Sequence, residues 1–104
     1  MRNLKEKEEK LIQKLLSIAS EYSFNIEDQL VEEMNDGEMG SLYFVYKNAP
    51  KEQRTMGKEI GRIEFKDSDD VVVSATLNID SENRLFELDI WKTDFSPLKD
   101  YLSF

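Results

Sequence analysis

VVVSATLNIDSENRLFELDIWK, Val71 to Lys92, is the stretch that decides the fold. Side chains alternate sides along an extended chain, so Val71, Val73, Ala75, Leu77 and Ile79 fall together on one face. Asp80-Ser81-Glu82-Asn83 then supplies turn chemistry, because short polar side chains bond their own backbone. From Leu85 to Trp91 the alternation resumes. Phe86, Leu88 and Ile90 share the face expected to meet the core, and Leu85, Glu87, Asp89 and Trp91 share the other. Two alternating runs with so short a link predict an antiparallel hairpin.

Working outward, Glu59 to Phe65 reads as the preceding strand, with Gly61, Ile63 and Phe65 on one side and Asp67-Ser68-Asp69-Asp70 turning the chain after it. Ser41 to Tyr46 (SLYFVY) reads as another, with Leu42, Phe44 and Tyr46 opposed to Tyr43 and Val45. Asp28 to Met34 is a less regular strand candidate, because Leu30-Val31 breaks the alternation; Asn35-Asp36-Gly37 closes it with a turn. Asn48 to Gly57 (NAPKEQRTMG) has the polarity, proline and glycine of an exposed loop.

From Leu4 to Tyr22 the period changes. Leu4, Leu11, Ile12, Leu15, Leu16, Ile18, Ala19 and Tyr22 fall within an arc of about 160°, the stripe of a helix lying on a core. Asn3 with Glu6 resembles a capping box, and Glu8 falls inside the stripe, which predicts a first turn overhanging solvent. Ser96 and Pro97 predict a short C-terminal helical turn carrying Leu98, Tyr101 and Leu102 back to the body. The expected architecture is a single α+β domain over residues 1–104: an N-terminal amphipathic helix packed on a twisted antiparallel sheet of four or five strands.

Composition narrows the chemistry. At 39% hydrophobic and 11% aromatic residues, the 104-residue chain has enough apolar surface for one core. It contains no histidine and no cysteine, which excludes Ser-His-Asp triads, cysteine nucleophiles and zinc held by imidazole or thiolate. No apolar run approaches the ~20 residues of a membrane span and no signal peptide is legible, so a cytoplasmic protein is expected. The net charge is -8, which disfavours nucleic acid and favours a basic protein partner. The most basic segment is Lys47 to Lys66, with six basic and three acidic residues.

Three constellations carry potential chemistry. Glu87 and Asp89 form an acidic row with Trp91 beside it, extended by Asp94 and by Asp36 or Glu38 from the glycine loop. Such a row is a protein-binding face, or with a third converging group a site for a hard cation; the plainer reading is a solvated strand face. Asn35 to Ser41 (NDGEMGS) offers two glycines around an acid but lacks the lysine and spacing of a phosphate loop, so a structural turn is the expectation. Asn78, Asp80, Glu82, Asn83 and Asp89 superficially track a calcium loop, but without its glycine and terminal glutamate.

The segments NDGEMGSL (Asn35 to Leu42) and ELDIWKTDFSPL (Glu87 to Leu98), preceded by the helical core Leu11 to Ala19, resemble a family of small uncharacterised bacterial single-domain proteins. The resemblance marks Asp36, Gly37, Met39, Gly40, Glu87, Asp89, Trp91, Lys92, Asp94, Phe95 and Pro97. Glu38 stands where that family's pattern has glycine. It implies a compact bacterial domain and no particular activity.

The functional expectation is a non-enzymatic interaction protein, monomer or homodimer, without cofactor, and binding neither nucleic acid nor membrane. It would use Asp36, Glu38, Glu87, Asp89, Trp91, Lys92 and Asp94 to bind a protein partner of basic character. An immunity or antitoxin-type role suits a small acidic domain. The alternative is a small carboxylate-based metal-binding or hydrolytic domain.

Overall fold

The structure is a computed structural model, and it describes residues 1–100. Six strands form one sheet: β1 (Arg2–Asn3), β2 (Leu30–Glu33), β3 (Leu42–Val45), β4 (Met56–Lys66), β5 (Val72–Asp80) and β6 (Leu85–Lys92). Helix α1 (Glu6–Ile18) follows β1, and a 3-10 turn at Lys51–Gln53 lies between β3 and β4. The spatial order is β1-β2-β3-β6-β5-β4, with every neighbouring pair antiparallel. The chain therefore crosses from β3 to the far edge, then returns as a β4-β5-β6 meander until β6 docks on β3. The architecture is α+β as expected, but with six strands instead of four or five. The extra one, β1, pairs only Arg2 with Val31 and Asn3 with Leu30, too short for any periodicity to register.

Alternation along β5 buries Val73, Ala75, Leu77 and Ile79 to 1% exposure or less, against Leu11, Ile12 and Leu15 of α1 and Leu42, Phe44, Leu88 and Ile90 of the neighbouring strands. The helix approaches β4 at Gly61. A Cβ there would lie 3.0 Å from the carbonyl oxygen of Leu15, so the absence of a side chain sets how closely helix and sheet pack. No helix among the described residues is long and apolar enough to cross a membrane.

Four local expectations are corrected. The helix is capped from Lys5, and its first turn does not overhang solvent: Glu8 is 4% exposed. Its carboxylate accepts from the Lys5 N–H at 2.8 Å and from both terminal nitrogens of Arg2, each at 2.8 Å. Burial pushes this carboxyl up, but the guanidinium and the N–H hold it below the ordinary value. An acid inside an apolar stripe is thus explained by β1, which delivers its counter-ion.

In β6 the phase shifts at its start. Ile79 pairs with Leu85 while Asn78 pairs with Glu87, so Phe86 is an extra residue in a bulge. Leu85 consequently joins the core cluster under α1, while Phe86, still buried at 8% exposure, packs apart from that cluster, 6.2 Å from the Tyr43 ring and 5.0 Å from the Arg54 guanidinium. The segment Asn48 to Gly57 is not simply a solvated loop. Arg54 within it is buried, donating to Asp80 at 2.9 Å and to the carbonyls of Phe44 and Leu85, and β4 has begun by Met56. Finally, residues 96–100 form an irregular strap with no helical turn; Tyr101 and Leu102 lie outside the described residues.

Candidate functional site: the helix-free sheet face

Because Gly61 and Leu77 face α1, their sequence neighbours point the other way. Register then lines up the outer face in rows: Glu64, Ser74 and Trp91; Arg62, Thr76 and Asp89; and Glu59, Asn78, Glu87, Tyr43 and Glu32. Small polar side chains on β5 are flanked by long ones on β4 and β6, and Ser74, Thr76 and Asn78 are buried beneath them.

Trp91 is 45% exposed at the end of this face. Its ring sits 6.0 Å from that of Phe95, tilted by 57°, a favourable edge-inclined geometry for two quadrupoles. Phe95 is 68% exposed and holds a φ of 62°, placed by the turn that follows β6. Asp89 and Asp94 are exposed beside the pair. Asp94 accepts from the hydroxyl and N–H of Ser96, which hold its carboxyl below the ordinary value. Glu87 is half-buried and accepts from the Asn78 amide at 3.0 Å; the other Asn78 amide atom, Oδ1, has no partner among the described residues.

The remaining expected site residues are elsewhere. Asp36 accepts from the N–H groups of Met39 and Ser41 at 3.2 and 3.0 Å, an anchored turn. Glu38 is exposed with a φ of 63°, the left-handed region where glycine is easiest. Both acids line a separate groove of about 590 Å³ with Arg2, Lys5, Lys7 and Lys99, and none of Glu87, Asp89, Trp91 or Asp94 reaches it.

Lys92 is a correction to the expected binding set. It is fully buried, because it continues the core-facing alternation of Leu88 and Ile90. Its ammonium donates to Asp67 at 2.8 Å, Asp69 at 2.6 Å and the Pro97 carbonyl at 3.1 Å. Asp67 in turn accepts from the N–H groups of Ser68, Lys99 and Asp100 at 2.6, 2.6 and 2.7 Å. Burial alone would raise the Asp67 carboxyl; Lys92 and the three N–H donors outweigh it and hold it well below the carboxylate range. Burial likewise opposes the charge on Lys92, and the two carboxylates reverse that, so its net shift is upward. Sequence reasoning missed Asp67 and Asp69 here. The available signal was Lys92 itself, since a lysine in phase with core residues requires a buried counter-ion.

The two distinctive segments of sequence meet at this latch. Ser41 Oγ accepts from the Ile90 N–H at 2.9 Å and donates to its carbonyl at 3.2 Å, the Lys92 N–H reaches the Met39 sulfur at 3.4 Å, and the Leu98 N–H donates to the Glu38 carbonyl at 3.1 Å. Asp36, Met39, Ser41, Lys92 and Pro97 thus hold loop, strand and strap together. Among the described residues no group of three or more carboxylates is placed to hold a metal ion. No curated protein and no solved structure matches the chain. The sequence model of one family, described as a Domain of unknown function (DUF6984), matches residues 1–102, and the chain belongs to that family.

Proposed function

We propose that the protein is a non-enzymatic interaction domain that docks a basic protein surface on its helix-free sheet face, with Trp91 and Phe95 as the apolar anchor and Asp89 and Asp94 as the charged rim. The observation that carries this reading is the exposed aromatic pair, 45% and 68% accessible, at the end of a sheet face with the exposed acids Asp89 and Asp94 beside it. Aromatic anchors ringed by polar groups are where binding energy concentrates. A net charge of -8 adds long-range attraction for a cationic partner. The finer form of the proposal is a bacterial, cytoplasmic immunity or antitoxin-type protein that covers a basic functional site on its target.

The test is titration calorimetry of the protein encoded beside this gene against wild type, Trp91→Ala and Asp89→Lys, with circular dichroism confirming that both variants fold. Binding by wild type, weakened about 30-fold by Trp91→Ala as expected of an interface anchor and weakened further at low salt by Asp89→Lys, supports the reading. Equal affinities for all three chains remove this face from the interface. Absence of any binding by wild type refutes the immunity form.

A further inference from the structure

We infer that the β4 edge is a self-association surface, where β4 of a second copy adds antiparallel and continues the sheet. β4 ends the strand order, and it is the longest strand at 11 residues. Apart from β5, the backbone of Arg62, Ile63 and Glu64 has no partner among the described residues. An edge of this kind presents a row of donors and acceptors suited to another strand.

Edges that avoid pairing carry bulges, and β4 has two, but both lie in its first half, between Met56 and Lys58 and between Glu59 and Gly61. The Lys58 side chain in that half is also engaged by Tyr22, its ammonium 5.3 Å from the ring. From Gly61 to Lys66 the register with β5 is unbroken. The regular half is self-complementary about Ile63. An antiparallel two-fold centred there sets Arg62 of each copy opposite Glu64 of the other, twice, on the outer face. Ile63, only half-buried in the single chain, then meets its own counterpart on the helix side. Charge favours this edge over the rest of the molecule. β4 carries three basic and two acidic residues in a chain of net charge -8, so copies meeting here avoid the repulsion expected elsewhere. The pairing leaves Trp91 and Asp89 uncovered, and its outcome is independent of the partner proposed for them.

Sedimentation velocity over a concentration series tests this with wild type, Arg62→Glu, Glu64→Arg and an equimolar mixture of the two variants. Both side chains are exposed, so each variant is expected to fold, checked by circular dichroism. Wild type should dimerise. Each single variant places like charges opposite one another at both positions and should dimerise about tenfold more weakly or worse. The mixture places opposite charges at both positions again and should regain wild-type association. Arg62 also bonds Glu59 within its own chain at 2.7 Å; loss of that contact would not be restored by mixing. A wild type that stays monomeric, single variants that associate normally, or a mixture that remains as weak as its components would each overturn the inference.

Discussion

Replacing Lys92 by methionine keeps the apolar stem of the side chain and removes its ammonium from the latch. Three contacts disappear: to Asp67 at 2.8 Å, to Asp69 at 2.6 Å and to the Pro97 carbonyl at 3.1 Å. Breaking a buried ion pair from one side costs about 3–5 kcal/mol, since the abandoned charge stays desolvated. The lower end applies here. Asp67 keeps its three N–H donors, and the Asp69 side chain is 24% exposed with the Lys99 ammonium at 3.9 Å. A loss of about 3 kcal/mol would be a large part of the roughly 5–15 kcal/mol typical of a domain, and would lower Tm by roughly 15 °C. Urea unfolding at neutral pH measures it, together with tryptic cleavage after Lys99, which should accelerate as the strap loses its anchor. In the double variant Lys92→Met with Asp67→Asn, the combined loss should fall short of the sum by about 2 kcal/mol, as for partners in one network. A loss below about 1 kcal/mol for Lys92→Met, the value of an exposed pair, with unchanged tryptic cleavage, would refute the argument that the latch holds the C-terminal segment.

Three further outcomes follow from the same structure. Gly61→Ala should cost about 1–3 kcal/mol by urea unfolding, because its Cβ would press on the Leu15 carbonyl, 3.0 Å away, and push α1 from the sheet. Acid should unfold the protein through its buried carboxylates: Asp80 is held at about 2, against an ordinary 3.8, by Arg84 and Arg54 in spite of burial, and Asp67 lower still. Depressed folded values mean stability that is complete above the ordinary carboxylate range and lost as pH falls through the folded values, so the urea midpoint should be level above about pH 5 and drop steeply between about pH 4 and pH 2. At the alkaline end the raised Lys92 keeps its contribution until pH passes its ordinary 10.5. The sole tryptophan reports on the outer face directly: its fluorescence should be readily quenched by caesium and less so by iodide, because Asp89 and Asp94 attract cations and repel anions.

The latch changes what the distinctive segments mean. A lysine and two aspartates drawn from β6 and the β4–β5 turn, with a proline carbonyl from the strap, form a closed set of contacts. Residues such as Lys92 and Asp36 are therefore bound up in holding the chain together. Trp91, Phe95, Asp89 and Asp94, from the same segment, are left facing water.

Alternation and helical period by themselves determined the elements that carry the core: α1, the β4-β5-β6 meander and β3 are legible because apolar residues keep to one side of each, even along β5, where the polar residues of the other side are buried as well. The absence of histidine and cysteine likewise settled which chemistries are closed to the chain. What periodicity could not reach were features that depend on residues distant in sequence. Arg2 makes Glu8 a buried acid, Asp80 makes Arg54 a buried base, and a single bulge opposite Ile79 exchanges the places of Leu85 and Phe86. The acidic row was legible in outline, yet only the tertiary structure divided it, sending Lys92 inward and Asp36 and Glu38 to another groove. The physical reason is that a charge has no fixed side of its own: it goes where a counter-ion or water is available, and the sequence does not say which of these the folded chain will bring.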